Sequence, residues 1–326
     1  MKKKHFLNAV LLGVGLILFY LFISHIGFKE IAQTLKSAKL FFCFAGVFAY
    51  LCAIVVRSRK WFFWIRAIRR DLRYREILPF FLVNLLIGNI TPFKSGEVAT
   101  PVFLKKFFKI SVGRGFSIIV LDRFSELVVF MSILIWAVFY LISRGLPYNF
   151  IFELFLVFFS FLSIFLFLLL CIIFFQNSTL KIIRKLISGK IFKKLAIFLE
   201  KEILYLYEGI NLAKKERIYA KIFFLTVVGW VFDFLAFYFV FLSVSRPYFF
   251  DIAASQVLSA AVSFVAFIPN GIGVVEIGVT SLLNLMGYPL VQMAGAMVLM
   301  RIFLMGTLIL AGIAGFYFMK EKQSKF

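Results

Sequence analysis

Histidine and cysteine are scarce in this sequence. Cys43, Cys52 and Cys171 fall in apolar runs without paired spacing, which argues against a disulfide framework and against a zinc site. His5 and His25 flank the first apolar run, too few for a metal centre or a histidine-based acid–base mechanism. No Gly-x-x-x-x-Gly-Lys-[Ser/Thr] segment and no Asp-x-x-Asp pair occur, so neither ATP hydrolysis by a P-loop nor a paired-aspartate metal site is expected. No long polar block divides the 326 residues. The chain reads as a single domain, 1–326, with no metal and no cofactor, and no room for a separate catalytic domain.

What it does have is apolar surface: 63% hydrophobic residues, 47 of them phenylalanine, and a mean hydropathy of +1.01. Those values describe an all-α polytopic membrane protein. A net charge of +22 would suit a nucleic-acid binder, but the basic residues cluster in loops between apolar runs, so no nucleic-acid partner is expected. A spanning helix needs roughly 20 apolar residues to cross about 30 Å of hydrocarbon. About six stretches qualify as full spans: 6–26, 40–57, 116–142, 150–175, 219–244 and 293–318. No small-x-small cleavage site follows the first, which reads as a span rather than a signal peptide.

Two further stretches, 77–104 and 252–288, are apolar but interrupted by proline and glycine. With Lys2, Lys3 and Lys4 cytoplasmic, the positive-inside rule puts segments 57–76, 105–114 and 176–221 inside. That assignment holds only if each interrupted stretch enters and leaves on one side. Both therefore read as re-entrant helical hairpins, the first from the cytoplasm and the second from outside, with both termini cytoplasmic in a prokaryotic plasma membrane. The 57–76 segment mixes Arg57, Arg59, Lys60, Arg66 and Arg69 with Trp61, Phe62, Phe63 and Trp64, which predicts an interfacial basic segment. Residues 176–221 form a cytoplasmic basic loop expected to carry one or two surface helices.

The hairpins resemble each other. GNITPFKSGEVATPVFL contains Pro92, Gly96 and Glu97; FIPNGIGVVEIGVTSLL contains Pro269, Gly271, Gly273 and Glu276. Each precedes a span with an internal arginine: Glu97 to Arg123 is 26 positions and Glu276 to Arg301 is 25. Opposite insertion with matched spacing marks an inverted-topology repeat, whose broken helices meet near the midplane to build a substrate site. Irregular backbone survives at that depth only beside protein or a water-filled cavity. Asp122, Arg123, Glu126, Asp233 and Arg301 are also deep in apolar helices, where an ionisable group costs at least about 2.5–3.5 kcal/mol. Asp122 and Glu126 share a helix face, and Arg123 reaches Glu126 at i,i+3. Candidate substrate-binding residues are therefore Lys94, Glu97, Asp122, Arg123, Glu126, Asp233, Asn270, Glu276 and Arg301. No catalytic residue is assigned.

PFKSGEVATPVFL, LDRFSEL and FIPNGIGVVEIG resemble the hallmark segments of the lysylphosphatidylglycerol synthase transmembrane, or flippase-like, family. There a Pro-Gly-Arg-x-Gly-Glu type motif, a Glu-Arg-x-x-Asp type motif and a Pro-Gly-Gly-x-Gly-x-x-Glu type motif recur in this order. The chain departs at Lys94, where arginine is common, at Asp122 and Glu126, where the acids are exchanged, and at Asn270, which replaces a glycine. Lysine keeps the charge but not the bidentate reach of arginine. The resemblance implies a membrane domain moving an anionic or aminoacylated phospholipid, or a related lipid-linked precursor, between leaflets. The aminoacyltransferase domain of bifunctional relatives is expected to be absent, so no enzyme activity is carried over. The alternative is an accessory membrane subunit or a lipid-modifying enzyme of envelope or glycolipid biosynthesis. Expected partners are membrane lipids and, beyond them, a second copy of the chain or a separate lipid-synthesising enzyme.

Overall fold

Continuous apolar runs make long helices here, and each run stops where glycine, proline or a charge cluster ends it. The computed structural model describes residues 2–175, 193–215, 218–265 and 268–323, which are helices and the short connections between them. The helices long and apolar enough to span are α3 (Leu40–Ile68), α6 (Val112–Ser143), α7 (Tyr148–Phe174), α9 (Tyr219–Leu242) and the segment Leu290–Lys320. That last segment joins α12 (Leu290–Met300) to α13 (Gly306–Gln323) through the wider π-helical turn Arg301–Met305. The N-terminal helix α1 (Lys2–Ile26) bends by 85° into the short amphipathic α2 (Phe28–Ser37), and the pair counts as a sixth span only if taken together.

The two interrupted stretches form helix–turn–helix units. The first runs α4 (Tyr74–Ile90), a 3-10 coil over Pro92–Ala99, then α5 (Thr100–Phe108). The second runs α10 (Phe249–Val265), a 3-10 turn over Pro269–Gly271, then α11 (Val274–Leu285). The two coils touch each other.

One expectation is corrected. The segment predicted to leave the second span at residue 57 and lie on the interface is the continuation of α3, which runs unbroken to Ile68. Its Lys60, Trp61, Phe62, Trp64 and Ile65 are buried. Packing against α4, α6 and α9 extends the helix, and the loop after it holds only Arg69–Arg73. In the 176–221 region the described part is α8 (Lys193–Lys215), packed on α6, and the first residues of α9. There Gly113 donates its N–H to Glu202 at 2.6 Å and Arg114 pairs with Glu208 at 2.6 Å. Residues 176–192 lie outside the described residues.

The apolar residues divide between lipid and core. Phe41, Phe48, Phe139, Phe224 and Leu310 are strongly exposed on the outside of the bundle, as expected where lipid is the solvent. Three buried clusters fill the inside: around Trp64, Ile77 and Leu104; around Leu134, Leu162 and Val257; and around Phe241, Val279 and Met297. A small residue sets the crossing of α3 on α9. A Cβ on Gly46 would stand 2.9 Å from the Ala236 carbonyl oxygen, so only glycine fits.

At one end of the bundle a buried carboxylate ties three elements together. Asp251, at the start of α10, accepts from Tyr140 Oη at 2.8 Å, from Arg144 Nε and Nη2 at 2.9 Å each, and from Tyr288 Oη at 2.7 Å. Every lone-pair direction of a fully buried carboxylate is thereby used.

Candidate functional site

Residues from all three core clusters, among them Trp61, Phe130 and Met300, line one cavity of about 360 Å³. Its wall carries four cations, Arg57, Lys60, Arg123 and Arg301, and four carboxylates, Glu97, Asp122, Glu126 and Asp233, among the described residues. Charges this deep are tolerated only when paired, and each of the four cations has a partner.

Arg57 of α3 donates Nη1 to Asp233 Oδ1 of α9 at 3.0 Å, and its Nη2 closes a second contact to Oδ2. Three residues on, Lys60 reaches two acids of α6: its Nζ lies 2.9 Å from Asp122 Oδ1 and also bonds Glu126 Oε1. Asp122 and Glu126 do share a face, as their spacing requires. That face presents both to Lys60, and Arg123 pairs with Asp122 and Glu97 rather than with Glu126. Arg123 Nη2 sits 3.1 Å from Asp122 Oδ2 and 3.5 Å from Glu97 Oε2. Asp122 thus bridges two cations.

Glu97 comes from the coil of the first helix–turn–helix unit. The coil is held by Thr91, whose Oγ1 accepts the Gly96 N–H at 2.8 Å. Gly88 leaves space for the acid: a Cβ there would stand 3.2 Å from Glu97 Oε1. Lys94 lies in this coil, but its side chain is outside the described residues.

The second unit repeats the pairing. Arg301 Nε donates to Glu276 Oε1, and its two terminal nitrogens each reach the Asn270 carbonyl at 3.3 Å. Glu276 also accepts the Gly273 N–H through Oε2 at 2.8 Å, closing the first turn of α11. Asn270, which departs from the glycine of the motif, has φ 49°. Asparagine is among the few side chains that take the left-handed region readily. Gly273 follows at φ 85°. The π-helical turn that begins at Arg301 adds a residue to one turn, a distortion that recurs at functional sites.

Eight of the nine sequence-assigned residues are brought together here: Glu97, Asp122, Arg123, Glu126, Asp233, Asn270 and Arg301 on the cavity wall, and Glu276 behind Arg301. Glu276 is fully buried and does not itself face the cavity. Arg57 and Lys60 escaped the sequence reading. Their signal was an imbalance, since Asp122, Glu126 and Asp233, with Glu97 and Glu276 in the interrupted stretches, outnumber Arg123 and Arg301 and require further cations. Side-chain exposure ranks the four cations: Arg57 and Arg123 at 23% each are open to the cavity, Arg301 at 12% and Lys60 at 2% far less so. Arg123 Nε has no hydrogen-bond partner among the described residues.

The family model of the lysylphosphatidylglycerol synthase transmembrane region matches residues 8–312. The chain belongs to that family. It is similar to a UPF0104 membrane protein of Methanocaldococcus jannaschii, 25% identical over 269 residues that cover 81% of this chain and 75% of that protein. A UPF0104 membrane protein of Pyrococcus horikoshii is 22% identical over 294 residues, covering 84% and 85% respectively. No solved structure matches the chain. As a member of the lysylphosphatidylglycerol synthase transmembrane-region family, it is a multi-pass membrane protein, and each of the three motifs that carry the resemblance puts a residue on the cavity wall: Glu97 from the first, Asp122, Arg123 and Glu126 from the second, and Asn270 from the third, whose Glu276 lies behind Arg301.

Proposed function

We propose that this protein moves a phospholipid or related lipid-linked precursor between leaflets, seating the headgroup in the ion-paired cavity while the acyl chains stay in the bilayer. The observation that carries the reading is Arg123: a deep, partly exposed guanidinium with an unpartnered Nε on a cavity wall that is otherwise charge-paired. A buried donor without an acceptor is unfavourable. An anionic phosphate oxygen would satisfy it with a charge-assisted bond.

In this reading the headgroup does not meet a bare cationic patch. It exchanges for carboxylates, displacing Glu97 from Arg123 or Asp233 from Arg57, so that entry and exit swap one ion pair for another and neither leaves a stranded charge. Arg301 and Lys60, far less open to the cavity, hold the frame. The two helix–turn–helix units enter as re-entrant hairpins from opposite faces, forming an inverted repeat whose tips meet at the cavity and whose rocking exposes it to each side in turn. With Lys2, Lys3 and Lys4 cytoplasmic, the first hairpin opens inward and the second outward.

The runner-up, a lipid-modifying enzyme using Asp233 or Glu276 as base, is weaker. Each of those carboxylates engages an arginine, and taking up a proton would break a buried ion pair. Two assays separate the readings. Purified protein in detergent, where leaflets do not exist, is incubated with lipid and the products are weighed by mass spectrometry. The same lipid is then followed across the bilayer of proteoliposomes. Transbilayer movement of unchanged lipid supports transport; a chemically altered lipid in detergent overturns it.

A further inference from the structure

The basic end of α3 carries cations that the cavity does not use. Arg57 and Lys60 turn inward to the cavity wall, while Arg59 and Arg66 are exposed on the outside of the helix. Seven positions separate those two, which puts them on one face. Upstream the same face presents Phe41, Phe44, Phe48, Leu51 and Val55, all exposed. This is the strip that α3 shows to lipid. From the Lys39 cap to Arg59 is 20 positions, about 30 Å of helix at 1.5 Å per residue, which matches the hydrocarbon layer.

α9 runs antiparallel to α3, with Ala236 beside Gly46 toward one end and Lys221 beside Phe63 at the other. Its own lipid-facing strip of Phe224, Val227 and Val231 ends in the exposed Lys221. Three contiguous rings lie beneath these cations: Phe62 is 5.7 Å from Tyr74 and 5.6 Å from Phe63. Each ring carries one cation. Arg59 lies 4.0 Å over Tyr74, Arg66 5.6 Å over Phe62 and Lys221 3.7 Å over Phe63.

A ring face orients a cation without neutralising its charge. Among the described residues none of the three pairs with a carboxylate. The acids that follow α3 are engaged elsewhere, Asp71 by Arg69 and Glu76 by the Arg73 N–H. Three unneutralised cations thus stand in a row where two lipid-facing strips end. We propose that this row is a docking site for the phosphate of an anionic phospholipid in the surrounding leaflet. The acyl chains of that lipid lie along Leu51 and Val55 of α3 and Phe224 and Val227 of α9. A zwitterionic headgroup brings its own cation and gains less from the row. The site is on the outside of the bundle, so it stands whether or not the cavity moves lipid.

Native mass spectrometry tests it. The full-length protein is released from detergent micelles holding equal amounts of dioleoyl phosphatidylglycerol and dioleoyl phosphatidylcholine, and the lipids retained are counted. The wild type is expected to prefer phosphatidylglycerol. Arg59→Gln, Arg66→Gln and Lys221→Gln should each weaken that preference about fivefold, the contribution of one basic residue at an anionic surface. The triple variant should retain one phosphatidylglycerol fewer than the wild type, and Arg123→Gln, which alters only the cavity, should keep that lipid. All three side chains are on the surface, and the single variants carry the test if the triple variant fails to fold. Equal phosphatidylglycerol retention by the wild type and the variants overturns the docking site and leaves the row to a soluble acidic partner. Loss of the whole preference in Arg123→Gln assigns it to the cavity and overturns the site as well.

Discussion

Lys60 of α3 and Asp122 of α6 meet at 2.9 Å with their side chains 2% and 1% exposed. A lysine from the most basic stretch of the chain is thus the most deeply buried cation of the site. Losing one partner of such a pair leaves an uncompensated charge and costs about 3–5 kcal/mol. Lys60→Met is expected to lower the melting temperature in detergent sharply. The triple change Lys60→Met, Asp122→Asn, Glu126→Gln should recover part of the loss, although Asp122 also serves Arg123. A Lys60→Met protein that melts like the wild type would show that the pair is not formed.

The two glutamate–arginine pairs should respond differently to the same substitution. Glu276→Gln strands Arg301, since among the described side chains Glu276 is its one ion-pair partner, and also weakens the cap on Gly273. Glu97→Gln leaves Arg123 with Asp122. The first is expected to cost several kcal/mol and much of the folded yield, the second about 1 kcal/mol. Thermal melts of the two variants side by side decide the order, and equal losses would contradict the geometry.

The Asp251 staple makes a prediction in pH. Burial, with the Asp251 carboxylate beside it, pushes the Tyr288 phenol up to about 12, above its ordinary value near 10. A group whose pKa is raised in the folded state contributes stability below its unfolded value and loses it as pH rises through the folded one. The contribution is therefore complete at neutral pH and disappears between about 10 and 12. The melting temperature of the wild type should fall more steeply across that window than that of Tyr288→Phe, which has no phenol to ionise; parallel curves would remove Tyr288 from the staple.

Opposed entry of the hairpins is read by labelling. A single cysteine at position 94 should react, if it reacts at all, with membrane-impermeant maleimide only from the cytoplasmic face, and one at position 270 only from the outside. Labelling of both from one face contradicts the inverted arrangement.

Much of this was legible in the sequence, for identifiable reasons. Apolar runs near 20 residues long mark spans whatever their partners, and proline with glycine marks the breaks at Pro92 and Pro269. The matched offsets from Glu97 to Arg123 and from Glu276 to Arg301 marked the two stretches as alike, but which arginine each glutamate meets came only from the fold. The end of α3 was not legible, because a run of arginines after an apolar stretch carries the same signal whether the helix stops or continues into the bundle. What continues it is contact with residues far along the chain: Asp233 lies 176 positions from Arg57, and Glu126 lies 66 from Lys60.

The most direct measurement is lipid movement itself. Proteoliposomes containing phosphatidylglycerol with a fluorophore on one acyl chain are treated with dithionite, which bleaches only the outer leaflet. Wild-type protein should carry bleaching well beyond the outer-leaflet half, and Arg123→Gln, folded and reconstituted at equal density, should return it to the level of protein-free vesicles. Wild-type vesicles that stop at the protein-free level, or an Arg123→Gln protein that matches the wild type, would contradict the account.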